Sequence, residues 1–135
     1  MHAMMAFVGS GREAAARGMM DVLVQRIDQG GTNAAMTRDI GLPVCRAIQA
    51  FGRGNYRVAV EELMPVREIA HRFGGSHAQR DVIDWTLTEA AVRGGLGPLA
   101  EALAHERLAL KPHSFLNRAF LRRARGGPAA PAAAP

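Results

Sequence analysis

The chain has 135 residues, 48% of them hydrophobic, and sets 17 Lys and Arg against 12 Asp and Glu for a formal net charge of +5. That length supports one core-bearing domain, burying about two thirds of the unfolded surface, and no run approaches the ~18 apolar residues of a membrane span. The positive balance raises nucleic acid as a partner, but five Phe, one Tyr and one Trp provide no aromatic series for stacking bases. The cations also crowd one late stretch, Arg118, Arg122, Arg123 and Arg125, and both features argue against nucleic acid.

Helical periodicity dominates from the start, and no run of alternating β-branched residues bounded by turns is evident. HAMMAFVG, residues 2–9, reads as a short first helix stopped at Gly9-Ser10-Gly11. It lacks the basic leader and small-residue cleavage pattern of an export signal. The lone Cys45 offers neither a disulfide nor a Cys-based metal site, so a reducing cytoplasmic setting is expected. From Arg12 to Gln29, the residues Met19, Met20, Leu23, Val24 and Ile27 form one apolar stripe on a helix ended by Gly30-Gly31. The seven Met of the chain read as adaptable core filler.

GLPVCRAIQAFGRG predicts a helix from Gly41, with Pro43 tolerated in its first turn and Gly52 and Gly54 closing it. Cys45 falls on its apolar face as a small buried hydrophobe. The next stretch places Tyr56, Ala59, Val60, Leu63, Val66, Ala70 and Phe73 on one face, with Pro65 expected to bend or interrupt the helix. After Gly74-Gly75, SHAQRDVIDWTLTEAAVRGG predicts a central helix turning Val82, Ile83, Trp85, Leu87, Ala90 and Ala91 inward. Leu99, Ala100, Leu103, Ala104 and Leu108 mark another helix ended by Pro112. Phe115, Leu116, Ala119 and Phe120 mark a last one, and GGPAAPAAAP over 126–135 reads as a mobile tail.

The resulting picture is all-α. GNYRVAV at 54–60, with Gly54, Tyr56 and Ala59, looks like the turn and second-helix start of a tetratricopeptide repeat, and Gly95, Ala100 and Pro112 fall at similar places in a second pair. Ala59 and Ala100 lie 41 positions apart, longer than the usual period of about 34. HAMMAF near the start, GLPV at 41–44, AFGRGNY at 50–56, GGSHAQRD at 74–81 and ERLALKP at 106–112 together resemble the C-terminal part of the tetratricopeptide repeat protein 38 family. The resemblance implies tetratricopeptide-like antiparallel helix pairs in a short α-solenoid of about six to seven helices, with no catalytic residues to carry over. It also implies that this chain is a C-terminal fragment or a shortened relative. Loss of preceding pairs would uncover apolar surface on the N-terminal helices, so self-association through them is expected.

The densest polar cluster is FGGSHAQRDVIDW. Ser76 and Gln79 have the spacing of a capping box, and Gly74 and Gly75 provide the turn before it. His77 and Asp81 share a helix face four apart, as do Arg80 and Asp84. His105 and Arg107 lie on an amphipathic helix, where they either form a solvated face or rim a peptide groove. Two functions compete: a helical-repeat module binding a protein or peptide through contacts such as these, and an enzyme or small-molecule site built on His77, Arg80 and Asp81. No nucleophile accompanies that trio, no HExxH pattern occurs, and no cofactor motif is evident, so the interaction module is the expectation.

Overall fold

A computed structural model of the chain describes residues 1–126, apart from the Phe73 side chain. The tail expected from 126 onward therefore lies, beyond Gly126, outside the described residues. Among the described residues every regular element is helical: α1 (His2–Gly9), α2 (Glu13–Ile27), α3 (Gly31–Met36), α4 (Leu42–Gly52), α5 (Tyr56–Arg67), α6 (His77–Arg93), α7 (Gly97–Leu110) and α8 (Phe115–Ala124). A π-helical turn spans Thr37–Gly41 and a 3₁₀ turn Ala70–Phe73. The fold is all-α, with α4 packed chiefly on α5 and α7 on α8, in the manner of a short helical repeat. No described helix is long and apolar enough to cross a membrane.

Three turns share one geometry. α1, α4 and α6 each end two residues before a glycine in the left-handed region, Gly11 (φ 68°), Gly54 (φ 77°) and Gly95 (φ 68°). The next amide folds back onto the carbonyl five residues earlier, Arg12 to Phe7 at 2.8 Å, Asn55 to Ala50 at 2.8 Å and Leu96 to Ala91 at 3.0 Å. Residues with a Cβ lose about 1–2 kcal/mol in that conformation, which explains the glycine. A new helix starts at once, and five residues after each glycine stands a buried alanine: Ala16, Ala59 and Ala100, at 2%, 0% and 0% exposure. The spacings are 43 and 41 residues. The expected partnership of Ala59 and Ala100 thus gains an earlier member in the α1–α2 pair, whose turn also carries a glycine, Gly11, but lacks an aromatic at the place of Tyr56.

The helix expected from Gly41 begins ten residues earlier, at Gly31, and passes through the π-turn into α4. Pro43 accounts for the interruption. It has no N–H for the Asp39 carbonyl and its ring crowds that carbonyl, so the ladder slips just upstream, and the Leu42 amide donates to the Thr37 carbonyl five residues back. Pro65 behaves differently: α5 continues through it and stops at Arg67, and the remainder of the expected helix becomes the 3₁₀ turn.

The chain divides into two compact units with the boundary inside α6, one comprising residues 1–87 and the other starting at Thr88. In the first, Met4, Ala16 and Cys45 are buried together, with Phe7, Val8, Met19, Met20, Leu23 and Ile48 packed against them. Phe51 meets Tyr56 edge-on across the α4–α5 turn, ring centroids 5.3 Å apart. In the second, Ala90, Ala91, Ala100, Leu103, Ala104, Ala119 and Phe120 are buried. Several residues expected inside are not. Trp85 is 41% exposed, and Phe115 and Leu116 of α8 are 75% and 44% exposed, because α8 turns Asn117, Ala119 and Phe120 inward instead.

Two glycines probe this packing. Gly18, inside α2, has open space where a Cβ would stand, whereas a Cβ on Gly52 would overlap the Val8 side chain of α1, a β-branched residue with little rotamer freedom. Gly18→Ala is expected to raise stability by about 0.5–1 kcal/mol through helix propensity, and Gly52→Ala to lower it by about 1 kcal/mol through overpacking. Urea unfolding of both variants checks the opposite signs.

Candidate functional site

At the start of α6 the Gln79 amide donates to Ser76 Oγ at 3.2 Å and the Ser76 amide donates to Gln79 Oε1 at 2.8 Å. This reciprocal pair is a capping box that satisfies amides left over at the helix end. Gly75 (φ 73°) lies so close that a Cβ there would come within 2.7 Å of Gln79 Oε1. Arg80 Nη1 donates to the carbonyls of Gly74 at 3.1 Å and Gly75 at 2.6 Å, and its Nη2 lies 3.2 Å from His77 Nδ1. The guanidinium fork therefore ties the glycine turn to the first turn of α6. The Arg80–Asp84 pair expected from their spacing gives way to this arrangement, and Asp84 instead faces Arg67 of α5, Oδ1 to Nε 3.9 Å. Ser76, His77 and Gln79 are exposed, and Arg80 and Asp81 are half-buried. Removing the cap with Ser76→Ala is expected to lower stability by about 1 kcal/mol, measurable in a thermal melt.

His105 and Arg107, the other expected binding residues, are engaged between α7 and α8. Arg107 Nε donates to Asn117 Oδ1 at 3.1 Å while Asn117 Nδ2 returns a bond to the Arg107 carbonyl at 3.0 Å. The Arg107 guanidinium carbon lies 6.0 Å from the Phe120 ring centroid. Asn117 is 1% exposed, so this two-way exchange gives the buried amide its partners. His105 Nε2 stands 3.6 Å from Glu101 Oε1, and Arg125 reaches the same oxygen at 2.5 and 2.7 Å. The hydrogen bond from Arg125 holds the Glu101 carboxyl below its ordinary value.

Glu89, 7% exposed, is the acidic centre of the second unit. Arg123 grips it with two bonds, Nη1 to Oε2 at 2.6 Å and Nη2 to Oε1 at 2.8 Å, and Arg93 Nε reaches Oε1 at 2.5 Å. Burial by itself would raise this carboxyl, but the hydrogen bonds and charges of Arg123 and Arg93 outweigh it and hold it below its ordinary 4.5. The charged form is favoured in the folded chain, so its contribution is complete at neutral pH and is lost as pH falls below 4.5 toward the depressed folded value. Glu89→Gln is expected to cost about 3 kcal/mol at pH 7, since breaking a buried pair leaves the other charge uncompensated. Its deficit relative to wild type should shrink as the pH is taken below 4.5, a trend readable from melting temperatures.

A cleft of about 430 Å³ opens beside the π-turn in the first unit, within the ~300–1,000 Å³ range of small organic ligand sites. Met19 and Leu23 of α2 form one wall, and Met36, Thr37, Gly41 and Cys45 form the other, with Arg26 and Asn33 supplying polar groups. Cys45 is 1% exposed and burial pushes its thiol up, so it contributes to the lining as a protonated apolar group. Thr37 Oγ1 donates to the Asn33 carbonyl at 2.8 Å. None of these residues was singled out as a site by sequence. Their signal was a Met-bearing stripe on α2, read as core, together with the Gly41-Leu42-Pro43 break whose upstream neighbour had no assigned element.

Among the described residues no group of three or more His, Cys, Asp and Glu side chains could hold a metal ion. No model of a known protein family matches the chain, and no solved structure gives a significant match.

Proposed function

We propose that the chain is a helical-repeat interaction module, a free-standing one or the end-piece of a longer array, which takes an apolar segment of a partner protein or peptide into the cleft beside the π-turn. The observation that carries this reading is the cleft itself, with Met19, Leu23 and Met36 around it and Arg26 and Asn33 among its lining. Methionine side chains repack around differently shaped apolar groups, which suits a surface that receives side chains. The resemblance to the tetratricopeptide repeat protein 38 family and the repeated helix-turn-helix geometry point the same way. The competing enzyme reading needs His77, Arg80 and Asp81 to converge on a substrate. Arg80 is engaged with the Gly74 and Gly75 carbonyls, which favours a structural role for the cluster.

Asn33 is exposed and lines the cleft, so Asn33→Trp fills the opening without touching the core. Panning a random-peptide display library is expected to enrich sequences with apolar anchors that the wild type captures and Asn33→Trp does not, at an unchanged melting temperature. Equal capture by the variant assigns the interaction to another surface.

A further inference from the structure

α2 and α8 each present a second, outward face that carries charge without an ion-pair partner among the described residues, beside an exposed apolar side chain. On α2, Val24 is 48% exposed. Asp21 and Asp28 are exposed on the side of the helix opposite the cleft wall, close in angle to Val24 at the helical repeat of 100° per residue. On α8, Phe115 is 75% and Leu116 44% exposed, and Arg118 and Arg122 follow Phe115 at three and seven positions, which keeps all three on one face. Among the described residues Asp21, Asp28 and Arg122 take part in no ion pair. No acidic residue occurs after Glu106. Most other arginines of that region are engaged internally, Arg107 with Asn117, Arg123 with Glu89 and Arg125 with Glu101. Arg17, on the same side of α2, is taken up by Glu13 at 3.7 Å, so one face is left apolar and acidic, and the other apolar and basic.

We infer that the two faces dock on each other in different copies of the chain, α8 of one copy against α2 of the next, with Phe115 covering Val24 and Arg118 and Arg122 meeting Asp21 and Asp28. The opposite signs select this pairing over α2 on α2 or α8 on α8, which would bring like charges together. The repeat geometry supports it in another respect: helical pairs of one repeat stack on their neighbours through equivalent surfaces, so the first and last pairs of a repeat series are each suited to receive the other's kind. The contact is head-to-tail, and each copy keeps one face of each kind, so assembly proceeds beyond a dimer as concentration rises. It does not involve the cleft and does not depend on what the cleft binds.

The experiment is sedimentation of three preparations of the 135-residue chain across a concentration series. The wild type is expected to grow in average mass with concentration and to do so less in high salt, which screens the charge pairing. Phe115→Ser and Val24→Ser, both at exposed positions, are each expected to weaken assembly at least about tenfold through loss of an apolar anchor. Mixing the two variants restores one intact face of each kind, so the mixture is expected to stop at a dimer of unlike partners. A charge swap adds a second reading: Arg122→Asp alone and Asp21→Arg alone weaken association, and an equimolar mixture of those two recovers it. A wild type that stays at 14.5 kDa throughout, variants that assemble as the wild type does, or a mixture that fails to pair overturns the inference. Circular dichroism melts confirm that each variant is folded, and Asn33→Trp, which leaves both faces intact, should assemble as the wild type does.

Discussion

The helix pairs depend on a backbone conformation that only glycine adopts cheaply. At Gly11, Gly54 and Gly95 the chain enters the left-handed region, and the following amide folds back across the helix end to satisfy a carbonyl five residues earlier. That bond closes one helix and aims the next, which begins immediately. Once the direction is set, the second helix lies close enough to the first that only a small side chain fits at its fifth position after the glycine. Ala16, Ala59 and Ala100 fill those places and are almost wholly buried. Turn chemistry and close packing are therefore two consequences of one constraint. Gly126 has the same left-handed φ, 82°, two residues after α8 ends.

The two compact units solve the burial of polar groups in different ways. In the first, the core around Met4, Ala16 and Cys45 is apolar, and the polar work is done at helix ends, by the Ser76–Gln79 box and by Arg80 on the glycine carbonyls. In the second, polar side chains enter the interior and must find partners there. Glu89 has two guanidinium groups, and Asn117 exchanges bonds with both the side chain and the backbone of Arg107. Such groups are costly when any partner is missing, which ties the arginine-rich end of the chain to structure more than to a ligand. Of the late cluster of cations, which in the sequence suggests an electrostatic surface, Arg123 and Arg125 close α8 onto its neighbours through Glu89 and Glu101, and Arg118 and Arg122 stay exposed.

The cleft lies where these internal demands are relaxed. The π-turn forced by Pro43 displaces the helical ladder at a place where α2 does not fully cover α4, and the cleft opens there. π-turns interrupt the regular spacing of side chains along a helix, and Met36, Thr37 and Gly41 at this one line the cleft. The outward faces of α2 and α8 are relaxed in another sense, because Val24 and Phe115 stay exposed among the described residues. Cleft and faces differ in chemistry. The cleft is a largely apolar pocket with Arg26, Asn33 and Thr37 as the polar side chains of its lining, whereas the faces combine apolar side chains with a strip of one charge.

Local signals in the sequence were sufficient for the helical class, for most helix boundaries, for the glycine turns and for the Ser76–Gln79 cap, because each rests on residues within five positions of one another. The buried state of Cys45, Ala59 and Ala100 was legible for the same reason, from periodicity on a single helix. The sequence could not show which partner wins when several are in reach. Arg80 has Asp84 at helical spacing yet takes the Gly74 and Gly75 carbonyls, while Asp84 faces Arg67 from another helix. Nor could periodicity decide which of two apolar faces of α8 turns inward: Phe115 and Phe120 look alike in sequence, and packing against α7 buries only the second. The cleft likewise required tertiary structure, since its walls come from α2, α3 and α4 and its opening depends on how a proline on one helix shifts backbone bonds beside another.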